Sequence, residues 1–166
     1  MIALGIDPGT ATTGYGVVGQ QPDSGLENLA YGVIQTPAQM PMEKRLNLLF
    51  DQIEQLIFLH RPDFCSVEKL FFQRNVSTAI AVGQARGVIL LAVGRAGIPL
   101  YEFTPLEVKQ AVTGYGAADK KQVQEMTRVI LNLDQIPKPD DAADALAIAI
   151  CCLNSSQWRQ REIQQP

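Results

Sequence analysis

Short apolar runs alternate in this chain with longer stretches in which apolar residues return every three or four positions. Residues 2–6, Ile-Ala-Leu-Gly-Ile, are apolar and stop at Asp7-Pro8-Gly9. That is the pattern of a buried central strand closed by a turn. Residues 12–18 and 26–35 are rich in strand formers such as Thr, Tyr and Val and are separated by Gln21-Pro-Asp-Ser-Gly25, which predicts a hairpin. The first three strands then form an antiparallel meander. Pro41 opens a helix on which Met42, Leu46, Leu49, Ile53 and Leu56 share a face, and Arg61-Pro62 ends it. Residues 63–67 form a strand finishing at Glu68, and 69–75 a loop. A long helix over 76–96 follows, then a strand over 98–103. Two helices, 105–112 and 120–131, flank the loop 113–118, and Pro137 and Pro139 precede a last helix over 140–153. The order βββ-α-β-α-β-α-α-α predicts an α/β fold. Its mixed five-stranded sheet joins the meander to parallel strands and is flanked by helices. Residues 1–153 are expected to be one domain and 154–166 a polar, flexible tail.

Composition narrows the class. With 166 residues, 46% of them hydrophobic, the chain can build a real core. The longest strongly apolar run, Gly87-Val-Ile-Leu-Leu-Ala-Val-Gly94, is fenced by Arg86 and Arg95. It falls well short of the roughly 20 residues that span a bilayer. No basic leader precedes Asp7. Cys65, Cys151 and Cys152 lie in apolar segments without metal-type spacing, as expected of reduced core thiols in a cytosolic protein. His60 is the only histidine and falls at a helix end. The net charge of −3 counts against a nucleic-acid partner, but the charge is unevenly spread. Residues 69–138 carry nine basic and five acidic groups, whereas residues 1–68 carry three and eight.

Four carboxylates carry the chemistry. Asp7 ends the first strand, where α/β proteins place ligands. Glu68 ends another short apolar strand, and if the two run parallel both acids emerge at one end. Asp141 and Asp144 are three apart on a helix and share a face. Beyond Asp144 the helix reads Ala-Leu-Ala-Ile-Ala-Ile-Cys-Cys-Leu, apolar all round and therefore buried. Asp140 suits the N-cap, which leaves Asp141 and Asp144 unexplained by capping. Clustered buried acids repel unless a positive partner lies between them. The hard-oxygen set points to magnesium rather than zinc. Two such ions, with Asp7 on the most rigid element as bridging ligand, suit in-line phosphodiester hydrolysis.

Ile6-Asp-Pro-Gly9, Val67-Glu68, Gly83-Gln-Ala-Arg-Gly87 and Asp141-Ala-Ala-Asp-Ala-Leu-Ala-Ile-Ala-Ile150 resemble the RuvC family of Holliday-junction resolvases over nearly the whole chain. The resemblance implies a ribonuclease H-like fold, a homodimer, and magnesium or manganese. It implies paired symmetric nicks in a four-way DNA junction during recombination and repair, alongside branch-migration proteins. It places the acidic quartet at Asp7, Glu68, Asp141 and Asp144, a base-contacting aromatic at Phe71, and DNA-binding lysines at Lys109 and Lys120. Physically, Phe71 is three residues past Glu68 and can stack on an unpaired base. Arg74 lies in the same loop, and Lys109, Lys120 and Lys121 are candidate phosphate contacts. The strip Ala79-Gly83-Gly87 suits either a subunit interface or packing on the sheet. Three other readings compete: a related nuclease acting on RNA, a non-catalytic junction-binding module, and an ATP-binding protein of the actin or sugar-kinase type. The last would share the loop Gly5–Gly14 but needs a second lobe.

Overall fold

Alternation along β1 (Ile2–Asp7) sets the architecture. Strand side chains point to opposite faces in turn, so Ala3, Gly5 and Asp7 share one face and Leu4 and Ile6 the other. The computed structural model describes residues 1–21, 25–69 and 76–163. On one face Leu4, Ile6, Val17, Cys65 and Val67 pack against Leu49 and Ile53 of α1 (Met42–His60) and Ala85 and Ile89 of α2 (Val76–Arg95). On the other, Ala3, Val18 and Phe103 pack against α5 (Asp140–Ile163), which α3 (Pro105–Thr113) and α4 (Lys120–Ile130) cover. The remaining strands are β2 (Thr12–Gln21), β3 (Gly25–Gln35), β4 (Phe64–Glu68) and β5 (Leu100–Phe103).

The sheet order is β3-β2-β1-β4-β5. β1 pairs antiparallel with β2, and β2 with β3; β1 and β4 are parallel, as are β4 and β5. This is the expected meander joined to parallel strands. No helix among the described residues is long and apolar enough to cross a membrane.

The all-round apolar helix is buried as its pattern requires. Every residue from Ala142 to Leu153 except Asp144 is buried. Two expectations about α5 are corrected. It continues to Ile163 instead of ending at Leu153, since no glycine or proline interrupts the polar stretch between them. Its cap is also displaced. The Pro139 carbonyl accepts from the N–H groups of Ala142 and Ala143, so Pro139 takes the cap position and Asp140 is the first helical residue.

Three glycines let α5 lie directly on the sheet. A Cβ on Gly16 would stand 2.7 Å from the Leu146 nitrogen. One on Gly5 would run into the Ala145 carbonyl, and one on Gly14 into the Asp141 carbonyl. Gly5 pairs with Gly16, and Gly14 with Asp7, so the three form a smooth track that ends at the acid of β1. Glycine inside a strand marks such close backbone approach. Gly5→Ala is expected to lower unfolding stability by about 3 kcal/mol, the upper end for overpacking, because the obstructing atoms are backbone. Denaturant unfolding of the variant measures this directly.

Candidate active site

Register brings the first two acids together. Gly5 aligns with Ser66 and Ile6 with Val67 in the parallel β1–β4 pair. One step further along, Asp7 and Glu68 leave the sheet side by side. They share the α5 face with Ser66, whose hydroxyl donates to the Ile148 carbonyl at 3.3 Å. The glycine track lowers the first turn of α5 onto this strand end and so delivers Asp144. Asp7, Glu68 and Asp144 line one cavity of about 190 Å³ with Lys109 of α3, Lys120 of α4, and an apolar wall that includes Val108, Val123 and Ile148. Asp141 is not in the cavity lining, although its charge is felt by both Asp7 and Asp144.

Burial and crowding both act on these acids. Burial, then the charges of Asp144, Glu68 and Asp141, push the Asp7 carboxyl up to about 7, against the opposing pull of Lys120. Burial and then Asp144 raise Glu68, while Lys109 and Lys120 oppose them. Burial raises Asp144, and its hydrogen bond from Lys120 opposes the rise. The Lys120 ammonium lies 3.0 Å from Asp144 Oδ2 and 3.6 Å from Asp140 Oδ2. Burial alone would depress Lys120; the hydrogen bond and charge of Asp144, then Asp140, outweigh it, and its pKa is raised. Among the described residues, no three His, Cys, Asp or Glu side chains are already drawn together closely enough to hold a metal ion. The acids are near enough to repel one another, and the cation paired with Asp144 is a lysine.

The other expected contacts divide. Lys109 and Lys120 face the cavity. Lys121 lines a neighbouring groove with Thr113, Tyr115 and Met126. Phe71 and Arg74 lie outside the described residues. Cys65, Cys151 and Cys152 are buried thiols outside any disulfide, and burial pushes the Cys65 and Cys151 thiols up to about 12. They are inert core residues.

Sequence reasoning missed two participants. Arg86 donates to the Glu68 carbonyl at 2.9 Å and forms an ion pair with Glu102 of β5. It thereby ties the exit of β4 to its neighbouring strand and fixes where Glu68 leaves the sheet. Its signal was available: Arg86 is the one charged residue inside an otherwise uncharged helix between Val76 and Gly94. Asp140 is the second. Instead of capping, it pairs with Lys138 at 3.2 Å and with Lys120.

The chain has known relatives. Residues 3–152 match the family model described as crossover junction endodeoxyribonuclease RuvC. A protein of that name from Heliobacterium modesticaldum is 56% identical over 158 residues, covering 95% of this chain and 97% of the relative. One from Brevibacillus brevis is 58% identical over 150 residues, 90% of each chain. The structure of Thermus thermophilus RuvC in complex with Holliday junction substrate superposes with a TM-score of 0.91. The two are 36% identical, and the match covers 96% of both chains.

Proposed function

The chain belongs to the RuvC family of crossover junction endodeoxyribonucleases, and we propose that the acidic cavity at the end of β1 is where it cuts. It is a metal-dependent endodeoxyribonuclease that resolves four-way Holliday junctions in DNA, built on a ribonuclease H-like fold. The observation that carries the site is the meeting of Asp7, Glu68 and Asp144, from three distant segments, with Lys109 and Lys120 in one cavity.

The donor set fits a hard divalent cation. It consists of carboxylates without histidine or thiolate, and burial with mutual repulsion lifts Asp7 to about 7, a strain that a positive ion relieves. Asp7, Glu68, Asp141 and Asp144 would hold magnesium, or manganese, as two ions. When bound, such ions supply an activated water and stabilise the leaving oxygen of the phosphodiester. Asp7 would be the key ligand, because the charges of the other three acids all act on it. Lys109 and Lys120 sit where they can pair with the phosphate and Lys121 where it can hold the adjoining backbone. Phe71 and Arg74 are proposed to engage the unpaired bases and backbone at the crossover.

Paired nicks require two equivalent centres, which a two-fold dimer supplies. The strip Ala79-Gly83-Gly87 favours that role over sheet packing. A Cβ built on Gly83 or Gly87 meets nothing within 4 Å, and Ile80 and Leu91 are 59% and 56% exposed on the same helix. The working context is proposed to be the cytoplasm, beside the proteins that migrate the branch.

The test is a synthetic four-way junction incubated with magnesium beside a linear duplex and an RNA–DNA hybrid. Paired nicks near the crossover are expected in the junction alone. Equal cutting of the linear duplex would remove structure selectivity, and preferential cutting of the hybrid would favour an RNA-directed relative.

A further inference from the structure

Lys120 occupies an unusual position. It is the first residue of α4, between Asp119 and Gln122, which form the capping box. The positive end of the helix dipole makes this a poor place for a cation, and Lys121 follows it. What compensates is across the gap on α5: Lys120 Nζ donates to Asp144 Oδ2 at 3.0 Å and lies 3.6 Å from Asp140 Oδ2. Asp144 is thus engaged by an ammonium at one of its two carboxylate oxygens.

The surroundings favour an exchange. The Lys120 and Asp144 side chains are 54% and 34% exposed, so water screens the pair and holds it only weakly. Asp140 keeps its second partner, Lys138, at 3.2 Å and loses little when Lys120 departs. Lys120 lines the same cavity as Lys109, Glu68 and Asp7. An ammonium and a divalent cation cannot share one carboxylate oxygen at contact distance without strong repulsion.

We propose that Lys120 is a tethered stand-in cation: it neutralises Asp144 before metal arrives, competes with metal for it, and is released toward the phosphate when metal binds. This rests on reading the acidic cavity as a metal centre and adds the order of events there. The competition links metal loading to the appearance of a free cation for the substrate. Lys120 is therefore a positioning residue for Asp144 in addition to any phosphate contact.

The test needs no DNA and no cleavage. Mn2+ is titrated into the full chain at pH 8, and free ion is read from its electron paramagnetic resonance signal. The proteins compared are the wild type, Lys120→Met, Lys120→Gln and Lys120→Arg, each first checked for an unchanged circular dichroism spectrum. Lys120→Met and Lys120→Gln are expected to bind Mn2+ about tenfold more tightly than the wild type, since a unit charge 3 Å from a ligand oxygen has been removed. Lys120→Arg, which keeps the charge, is expected to stay within about twofold. Affinity that is unchanged or weaker in both neutral variants overturns the stand-in role while leaving the metal centre intact. A wild type that binds no Mn2+ overturns the metal centre itself and this role with it.

Discussion

Asp7→Asn is expected to reduce junction cutting by about a thousandfold or more while leaving junction binding intact or slightly tighter. Asparagine keeps the shape of the side chain and removes its charge. Asp7 is the acid on which the other three act, since Asp144, Glu68 and Asp141 all raise it. The variant removes the carboxylate proposed as the key metal ligand, and a thousandfold corresponds to roughly 4 kcal/mol of transition-state stabilisation. Binding draws on different groups. The proposed phosphate contacts are Lys109, Lys120 and Lys121, and one fewer negative charge in the cavity lowers repulsion with the DNA. A gel-shift assay in calcium beside a cleavage assay in magnesium separates the two effects. Cutting within tenfold of the wild type would show that Asp7 is peripheral, and equal loss of binding would show that the variant disturbs the fold.

Much of this site was legible because strands impose a parity. Asp7 and Glu68 each end a short apolar run, and once β1 and β4 are parallel their alternation puts both on the α5 face. The apolar length after Asp144 announced a buried helix, which had to lie against the sheet. How close it lies was written in Gly5 of β1 and in Gly14 and Gly16 of β2, three glycines that all meet the backbone of α5, yet strand propensity alone treats them as weak points. Their meaning depends on the backbone that approaches them. The pairing of Lys120 with Asp144, 24 residues away, and of Arg86 with the Glu68 carbonyl, 18 away, depends on how α4 and α2 dock. Local periodicity carries no record of that. Asp140 suited a cap equally well by composition; Lys138 and Lys120 decided its role instead. Beyond Leu153, polarity suggested a tail, but polarity opposes burial and not helicity, so α5 continues.

In the metal-free protein, stability is expected to fall as pH rises from about 4 to about 7, and Asp7→Asn is expected to remove most of that fall. The sign follows from proton linkage. An unfolded Asp7 has the ordinary value of 3.8, whereas the folded carboxyl titrates near 7. Between those values the native state binds more protons than the unfolded state, so stability decreases with rising pH. This contribution is fully present below 3.8 and lost above 7. The gap corresponds to a ceiling of roughly 4 kcal/mol, and neighbouring charges that rearrange will reduce it to about 2–4 kcal/mol. Glu68 and Asp144 are raised as well and slope the same way. In chelator at pH 8, Asp7→Asn should therefore be the more stable protein by about 2 kcal/mol or more, a neutral amide having replaced a buried charge among like charges. Magnesium should shift the balance back toward the wild type. Ion binding to the folded wild type adds about 2.7 kcal/mol when the ion is at a hundred times its dissociation constant, and the variant gains less. Denaturant unfolding at pH 5 and pH 8, with chelator and with magnesium, gives all four comparisons. Parallel pH profiles for the two proteins in chelator would mean that Asp7 is not held among mutually repelling acids. The loss of cutting and the gain of metal-free stability would then no longer share one cause.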